Sequence, residues 1–231
     1  MTAQKPPPIP LLLGEVRVFR DWARARIRPQ SRNIPLQGSG QSVMTIPGFM
    51  AGDFAMQQMR MDLDSAGYRA FGWAAGLNRG ARPDTLDHVD REVRRIQAET
   101  GHPPVLIGWS LGGFYAREYA KHHPDQVAGV ITLGTPFSGS RKANHAWRMY
   151  RIIAGHSVEN PPLDFHPDAK PAVPTYAIWS HRDGVIAPAC ARGLAEERDA
   201  AIEVTCGHMG MAYDRAVIDA ILDLLGQIHP D

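Results

Sequence analysis

The sequence predicts an α/β fold in which a mostly parallel sheet of about six strands carries helices on both faces. Three observations lead to this expectation. Short apolar segments rich in β-formers alternate with helical patterns from residue 41 onward. Most of these segments end in turns that contain glycine or polar residues. One such turn places a serine between two glycines, directly between a strand and a helix.

The predicted elements follow one another in a regular strand–helix order. Strands are expected at residues 41–46, 68–73, 105–109, 127–133, 173–179 and 201–204, and helices at 54–66, 86–100, 111–122, 143–154 and 213–228. Asp53 and Thr85 are placed to cap the two helices that begin beside them. Because parallel strands end at one edge of a sheet, the loops after these strands should meet there.

Composition indicates a single domain, expected at residues 41–231. The chain has 231 residues, of which 44% are hydrophobic, and this is enough for one sizeable core. Twenty-five Lys and Arg residues balance 24 Asp and Glu residues, so no nucleic-acid partner is indicated. Pro6-Pro7-Pro8 and the short run Leu11-Leu12-Leu13 do not resemble a secretory signal. A cytoplasmic location is therefore the expectation.

Residues 1–40 are interpreted as an extension that contains a basic amphipathic helix. Residues 1–10 are rich in proline and are expected to be extended or disordered. Residues 11–27 follow helical spacing, with an apolar stripe of Leu12, Val16, Phe19, Ala23 and Ile27 surrounded by arginines. Such a helix can contact a membrane surface, but packing on its own domain is favoured.

The central motif of the chain is Gly108-Trp109-Ser110-Leu111-Gly112. A serine in a Gly-x-Ser-x-Gly turn between a buried strand and a helix is typical of a nucleophile elbow. The alternative is an ordinary glycine-rich turn, which the strand and helix around it make less favoured. Ser110 is therefore the candidate catalytic nucleophile.

A serine needs a base and a third group that orients the base. His208 and Asp183 follow later strands in the order expected for this chemistry, with the acid before the histidine. His181 is the strongest competing base, and Asp164 and Asp168 are the alternative acids. For both predicted partners, the plainer alternative is a solvated loop side chain.

The remaining site residues are predicted from their positions beside the turns. The backbone N–H groups of Phe49 and Leu111 are candidates for an oxyanion hole. Five apolar side chains that flank these turns are candidates for substrate binding, and about half of them are expected to line a cleft. They are Met50, Trp109, Phe137, Met209 and Met211.

Three further features leave alternatives open. Cys190 and Cys206 lie close to the predicted site and could be two thiols or one disulfide. Residues 140–170 interrupt the strand–helix rhythm and are interpreted as a cap or lid, with a plain surface excursion as the alternative. The sequence contains no cluster of metal ligands and no phosphate loop, so no metal and no cofactor are expected.

Five stretches together resemble the α/β-hydrolase superfamily, and more narrowly its small bacterial lipase-like and esterase-like members. They are Ile46-Pro47-Gly48-Phe49, Gly108 to Gly113, Leu133-Gly134-Thr135-Pro136, Asp183-Gly184-Val185 and Gly207-His208-Met209-Gly210. The resemblance covers about residues 41–228. The usual first hairpin of the family is not visible, which implies a reduced sheet.

The resemblance implies a serine esterase or lipase that acts on a small-molecule ester or a lipid through an acyl-enzyme. The roles carried over are those of nucleophile for Ser110, base for His208 and orienting acid for Asp183. A thioesterase, an acyltransferase or a polyester hydrolase would use the same three residues. A non-catalytic binding protein of this fold is disfavoured because every expected site residue is present.

Overall fold

The computed structural model describes residues 5–15, 32–139, 143–145, 147–155, 162 and 165–229. These residues form a six-stranded sheet in the order β2-β1-β3-β4-β5-β6, with every neighbouring pair parallel. The strands are β1 (Ser42–Ile46), β2 (Arg69–Phe71), β3 (Val105–Trp109), β4 (Gly129–Leu133), β5 (Thr175–Trp179) and β6 (Ala200–Glu203). The predicted fold class, with its reduced sheet, is confirmed.

Helices cover both faces of this sheet. They are α1 (Gln57–Ser65), α2 (Thr85–Thr100), α3 (Leu111–His122), α4 (Trp147–Ala154), α5 (Pro188–Arg192) and α6 (Arg215–Ile228). Apolar side chains of α1 and α6 pack in one core cluster, and those of α2 and α3 pack in a second cluster. The sheet therefore lies between two helical layers.

The central strand shows why its sequence is continuously apolar. In β3, Val105 and Ile107 belong to the core cluster on one face, and Leu106 belongs to the cluster on the other. All five residues of β3 are buried. A strand covered on both faces cannot alternate between apolar and polar residues, so the period-2 pattern is lost.

Strand order places the functional edge of the sheet. The chain starts at β1, adds β2 on one side, and then returns to add β3 on the other side. At such a reversal the two following loops diverge and leave a crevice outside the carboxyl ends of the strands. Here the crevice lies beyond Ile46 and Trp109, which places Ser110 at its edge.

Two predicted helix caps are wrong. The residue before the short 3₁₀ turn Asp53–Met56 is Gly52, and no side chain caps that turn. The Asp53 carboxylate instead accepts hydrogen bonds from the backbone N–H groups of Trp73 and Ala74. Thr85 is the first residue of α2 rather than its cap, and its hydroxyl oxygen accepts from the Arg82 N–H. For Asp53, local sequence could not show that the distant N–H groups of Trp73 and Ala74 compete for the carboxylate.

The N-terminal segment begins its helix earlier than predicted. Residues 9–15 are helical, so residues 9 and 10 are not extended. The backbone of Leu11 packs directly on Gly184, and the Pro7 carbonyl lies 2.8 Å from Nε2 of His145. Residues 16–27 of the predicted amphipathic helix lie outside the described residues. Within the described ranges, no helix is long and apolar enough to cross a membrane.

The insertion at 140–170 is partly described and contains α4. The Tyr150 hydroxyl oxygen accepts a hydrogen bond from the Ala81 N–H, and the Tyr150 ring lies 5.2 Å from that of Phe49. Farther along, Phe165 stacks on Phe114 of α3, with the ring centroids 6.2 Å apart. These contacts attach the insertion to the loops at the crevice. Whether it moves as a lid stays a prediction.

Candidate active site

Ser110 lies at a tight turn between β3 and α3. Its backbone has a φ of 53°, a conformation that non-glycine residues rarely adopt. The turn is fixed by hydrogen bonds from the Ser110 N–H to the Leu133 carbonyl and from the Thr135 hydroxyl to the Ser110 carbonyl. The serine is half-buried, so its hydroxyl can be reached from the crevice. The turn has the backbone features expected of a nucleophile elbow, and the role of Ser110 as a nucleophile stays a prediction.

The two glycines of the motif are required by close packing. A Cβ at Gly108 would collide with the backbone of Gly113, and a Cβ at Gly112 would collide with the Ile46 carbonyl. Strand β3 and helix α3 therefore approach each other, and α3 approaches the end of β1, more closely than any side chain permits. This packing places the N-terminus of α3 beside the serine.

The structure brings the three predicted catalytic residues together. His208 Nε2 lies 3.0 Å from Ser110 Oγ, and His208 Nδ1 lies 2.7 Å from Asp183 Oδ2. Because the Asp183 carboxylate can only accept, Nδ1 of the imidazole donates to it, and Nε2 is left to accept from the serine hydroxyl. Side chains 98 and 25 residues apart along the chain thus form one hydrogen-bonded line.

Asp183 is held rigidly beneath the histidine. It is 1% exposed, and its Oδ1 accepts from the backbone N–H groups of Val185 and Ile186 at 2.8 and 2.7 Å. The other oxygen faces His208. Gly134 gives the pair its space: its φ is 55°, and a Cβ there would lie 3.1 Å from both Asp183 Oδ2 and His208 Nδ1.

His208 is 4% exposed, and opposing influences act on its pKa. Burial disfavours the imidazolium and lowers the pKa, whereas the adjacent Asp183 carboxylate and its hydrogen bond raise it. The Glu15 carboxylate raises it further. On balance, the pKa of His208 lies above its ordinary value.

Neither His181 nor Asp168 takes part in the hydrogen-bonded line of Ser110, His208 and Asp183. The His181 side chain is 63% exposed, and its Nε2 lies 2.6 Å from Glu203 Oε1. Asp168 is one of the acidic neighbours of Arg117, away from His208. Asp164 lies outside the described residues.

The predicted oxyanion loop lies against the serine. A Cβ at Gly48 would be 3.2 Å from the Ser110 Cβ, so the backbone before Phe49 touches the nucleophile. Leu111 follows the serine directly, as the first residue of α3. The amides of Phe49 and Leu111 thus belong to the two segments that border Ser110, and their role as an oxyanion hole stays a prediction.

Asn78, which sequence reasoning left without a role, braces this loop. It is 1% exposed, its Nδ2 donates to the Pro47 carbonyl, and its Oδ1 accepts from the Gly80 N–H and the Tyr115 hydroxyl. Its backbone also exchanges hydrogen bonds with Met50 and Ala51. In the sequence, Asn78 was only a polar residue in a loop at the ligand-binding edge of the predicted sheet. Many solvated residues fit the same description, so the sequence alone did not single it out.

The predicted substrate-binding side chains divide into two groups. Met50 is 40% exposed beside the oxyanion loop, and Met209 is half-buried next to His208. The prediction is wrong for Met211 and Phe137. Met211 is fully buried in the core. Phe137 is 1% exposed, and the guanidinium carbon of Arg117 lies over its ring, 4.2 Å from the ring centroid.

Trp109 is also a structural residue rather than part of a substrate wall. It is 3% exposed, and its indole N–H donates to the His208 carbonyl at 3.2 Å. Its side chain therefore supports the loop that carries the histidine. The sequence showed that these candidate side chains flank a predicted functional turn. It did not show which side of the sheet each side chain faces.

The disulfide considered from the sequence is absent: Cys190 and Cys206 are not joined. Cys190 packs with Ala143, Ile186 and Ala187 in a small apolar cluster. Cys206 lies on the His208 loop against Gly210, and burial raises the pKa of its thiol to about 12. The two side chains belong to different packing environments, which proximity in the chain does not reveal. Among the described residues, no group of side chains is arranged to hold a metal ion.

Comparison with known sequences identifies a family. A model of the alpha/beta hydrolase fold family matches residues 45–167, which is more than half of the chain. A pimeloyl-[acyl-carrier protein] methyl ester esterase of Vibrio cholerae is 27% identical over 124 residues, covering 49% of this chain and 43% of that protein. A pyrethroid hydrolase of Sphingobium wenxiniae is 44% identical over 48 residues, covering 21% and 17%. The chain spans less than half the length of these curated relatives.

Solved structures share the fold. A lipase of Bacillus licheniformis, solved in its mature form, superposes with a TM-score of 0.60 at 17% identity. The match covers 85% of this chain and 96% of that one. At this level of identity the likeness concerns the arrangement of strands and helices and not the substrate.

Proposed function

The chain belongs to the alpha/beta hydrolase fold family, and from this premise we propose that it is a serine hydrolase that cleaves carboxylic esters. The observation that carries the proposal is the line of hydrogen bonds from Ser110 Oγ through His208 to Asp183. A nucleophile, a base and an orienting acid in this order are what acyl transfer requires.

In the proposed reaction the Ser110 oxygen attacks the ester carbonyl while His208 Nε2 accepts its proton. The Asp183 carboxylate holds the imidazole in place and stabilises the imidazolium that forms. His208 then donates the proton to the leaving alcohol, which departs and leaves an acyl group on Ser110. Water attacks this acyl-enzyme, and the same histidine first accepts a proton from the water and then returns it to Ser110.

Backbone amides would stabilise the negative charge that develops on the carbonyl oxygen. The N–H of Leu111 lies at the N-terminus of α3, where the helix dipole adds to its effect. The N–H of Phe49 belongs to the loop that packs on Ser110 and is braced by Asn78. One such donor contributes about 10²–10³-fold to the rate in related chemistry.

Exposed apolar side chains on the loops after β1 and β2 and on α4 support an apolar acyl or alcohol group. Met50 and Leu77, on the loops that border the crevice, are 40% and 41% exposed, and Ile153 of α4 is 40% exposed. Among the relatives, one is named a methyl ester esterase, which supports a carboxylic ester as the substrate class. A small apolar ester is accordingly the proposed substrate.

The test is the initial rate on p-nitrophenyl esters from acetyl to palmitoyl, for the wild type and for Ser110→Ala. We expect hydrolysis by the wild type and a loss of at least about 10³-fold in kcat for the variant. Ser65→Ala, on the exposed face of α1, is the matched control and should keep the full rate. A Ser110→Ala variant as active as the wild type would exclude the proposed mechanism.

A further inference from the structure

A buried carboxylate from the N-terminal segment lies behind the predicted catalytic loops. Glu15 is 7% exposed, and it is the last of the helical residues 9–15 that the structure describes. Its Oε1 accepts hydrogen bonds from the backbone N–H groups of Gly184 at 2.9 Å and His208 at 2.6 Å. Its Oε2 accepts from the Met209 N–H at 3.1 Å. One side chain thus accepts hydrogen bonds from three backbone donors of two separate loops, two of them buried and one partly buried.

Those two loops carry the acid and the base. Gly184 directly follows Asp183, and His208 is itself the base. The Glu15 carboxylate therefore bridges the two backbones at the points where the Asp183–His208 pair is anchored. Hydrogen bonds to an ionised acceptor are stronger than neutral ones, so the bridge should restrain both loops.

The glycines on both loops fit this contact. A Cβ at Gly207 would lie 2.8 Å from Glu15 Oε1, and a Cβ at Gly184 would collide with the Leu11 carbonyl. The loops therefore have the shape needed to receive the segment that carries Glu15. A carboxylate that lay on an ordinary protein surface would not require glycine at two such positions.

We propose that Glu15 is a positioning residue: it holds the Asp183 and His208 loops in register so that the imidazole reaches Ser110. This inference rests on the proposed function. Glu15 touches neither the serine nor a substrate, so it acts through the two loops. Through this residue the N-terminal segment contributes to the geometry of the proposed site.

The charge of Glu15 adds an electrostatic effect. A negative charge behind the imidazole favours the imidazolium that forms when Ser110 loses its proton. The pKa of His208 reflects this, because Glu15 raises it together with Asp183 against the effect of burial. Among the described residues, the other titratable groups that line the cavity of about 480 Å³ beside Glu15 are Arg182, Cys206, Tyr213 and Asp214.

The test compares wild-type full-length protein with Glu15→Gln. The amide keeps the shape of the side chain, but it removes the charge and turns an N–H₂ group toward backbone donors. We expect kcat on p-nitrophenyl butyrate to fall by roughly 10- to 100-fold while KM stays within about twofold, because small misplacements of catalytic groups slow the chemical step. The acid limb of the rate profile should move to lower pH, because the imidazolium loses a stabilising charge.

Asp62→Asn is the matched control for the loss of a buried carboxylate. Asp62 on α1 is 2% exposed and accepts hydrogen bonds from Gln58 and Arg32, away from the site. This variant should lose stability while its kcat per folded molecule and its pH profile stay unchanged. An equal loss of kcat in both variants would overturn the positioning role.

A second measurement needs no substrate. The pKa of His208 is read by NMR titration of histidine-labelled full-length protein, and it should be lower in Glu15→Gln than in the wild type. If the wild type hydrolyses no ester but this pKa falls, the coupling of Glu15 to His208 stands and the proposed function fails. If the wild type is active and Glu15→Gln changes neither the pKa nor kcat, the coupling fails and the proposed function stands.

Discussion

Ser110 shows how much of the site is fixed at the scale of single residues. Its positive φ is held by the Leu133 carbonyl and the Thr135 hydroxyl, two groups from the neighbouring strand and loop. The glycine pattern around the serine predicted this turn because only glycines allow such close packing. The pattern could not identify Thr135 as the residue that fixes the turn, because that contact depends on the register of β3 and β4.

His208 gives a prediction about pH. Only the neutral imidazole can accept the serine proton, and the Asp183 and Glu15 carboxylates hold its pKa above the ordinary value of 6.5. The value of kcat/KM on a short ester should therefore rise with pH and reach half of its maximum above pH 6.5. Initial rates from pH 5 to pH 9 in buffers of constant ionic strength measure this limb.

His181→Gln is the control for that profile, since His181 is exposed and pairs with Glu203 away from the serine. Its acid limb should coincide with that of the wild type. A profile that is flat through this range, or one that moves with His181, would contradict the assignment of His208 as the base.

At the scale of elements, Arg117 of α3 connects the end of the insertion to the body of the domain. It is fully buried and donates to the carbonyls of Pro167, Ala169 and Glu197 while its guanidinium lies over the Phe137 ring. Burial lowers its pKa to about 10, so it stays charged at neutral pH. One side chain thus joins three segments that are far apart in sequence.

Replacing Arg117 with methionine should lower the free energy of unfolding by about 2–4 kcal/mol, because two buried carbonyls and one partly buried carbonyl lose their donor. Urea denaturation followed by circular dichroism measures the change. Arg95→Met on α2 is the matched control: its guanidinium forms exposed ion pairs with Glu92 and Glu99, so little stability should be lost. Equal stability of the two variants would contradict the bridging role of Arg117.

The helices and strands themselves were largely predictable. The apolar spacing of Leu86, Val89, Val93 and Ile96 indicated the helix observed as α2, in which Leu86 is half-buried and the other three are fully buried. Sequence patterns failed where a side chain serves a distant partner. Asp53 was predicted as a cap because of its position, yet it binds the N–H groups of Trp73 and Ala74, which a local pattern cannot show.

At the scale of the whole molecule, strand order explains why the three proposed catalytic residues could be expected to lie together and why the contact of Glu15 could not be expected. Parallel strands end at one edge, so Ser110, Asp183 and His208 could be expected to meet from their positions after β3, β5 and β6. Glu15 follows no strand and lies 193 residues before His208. No rule of topology or spacing leads from its position to the site.

The central claim is that Ser110, activated by His208, forms a covalent acyl-enzyme. The most direct measurement is the reaction of the protein with a fluorophosphonate, followed by trypsin digestion and mass spectrometry. The tryptic peptide of residues 96–117 contains Ser110 as its single serine, so the modified residue is located without ambiguity. We predict stoichiometric labelling of this peptide in the wild type, none in Ser110→Ala, and strongly slowed labelling in His208→Ala. Labelling of another residue, or equal rates in wild type and His208→Ala, would contradict the claim.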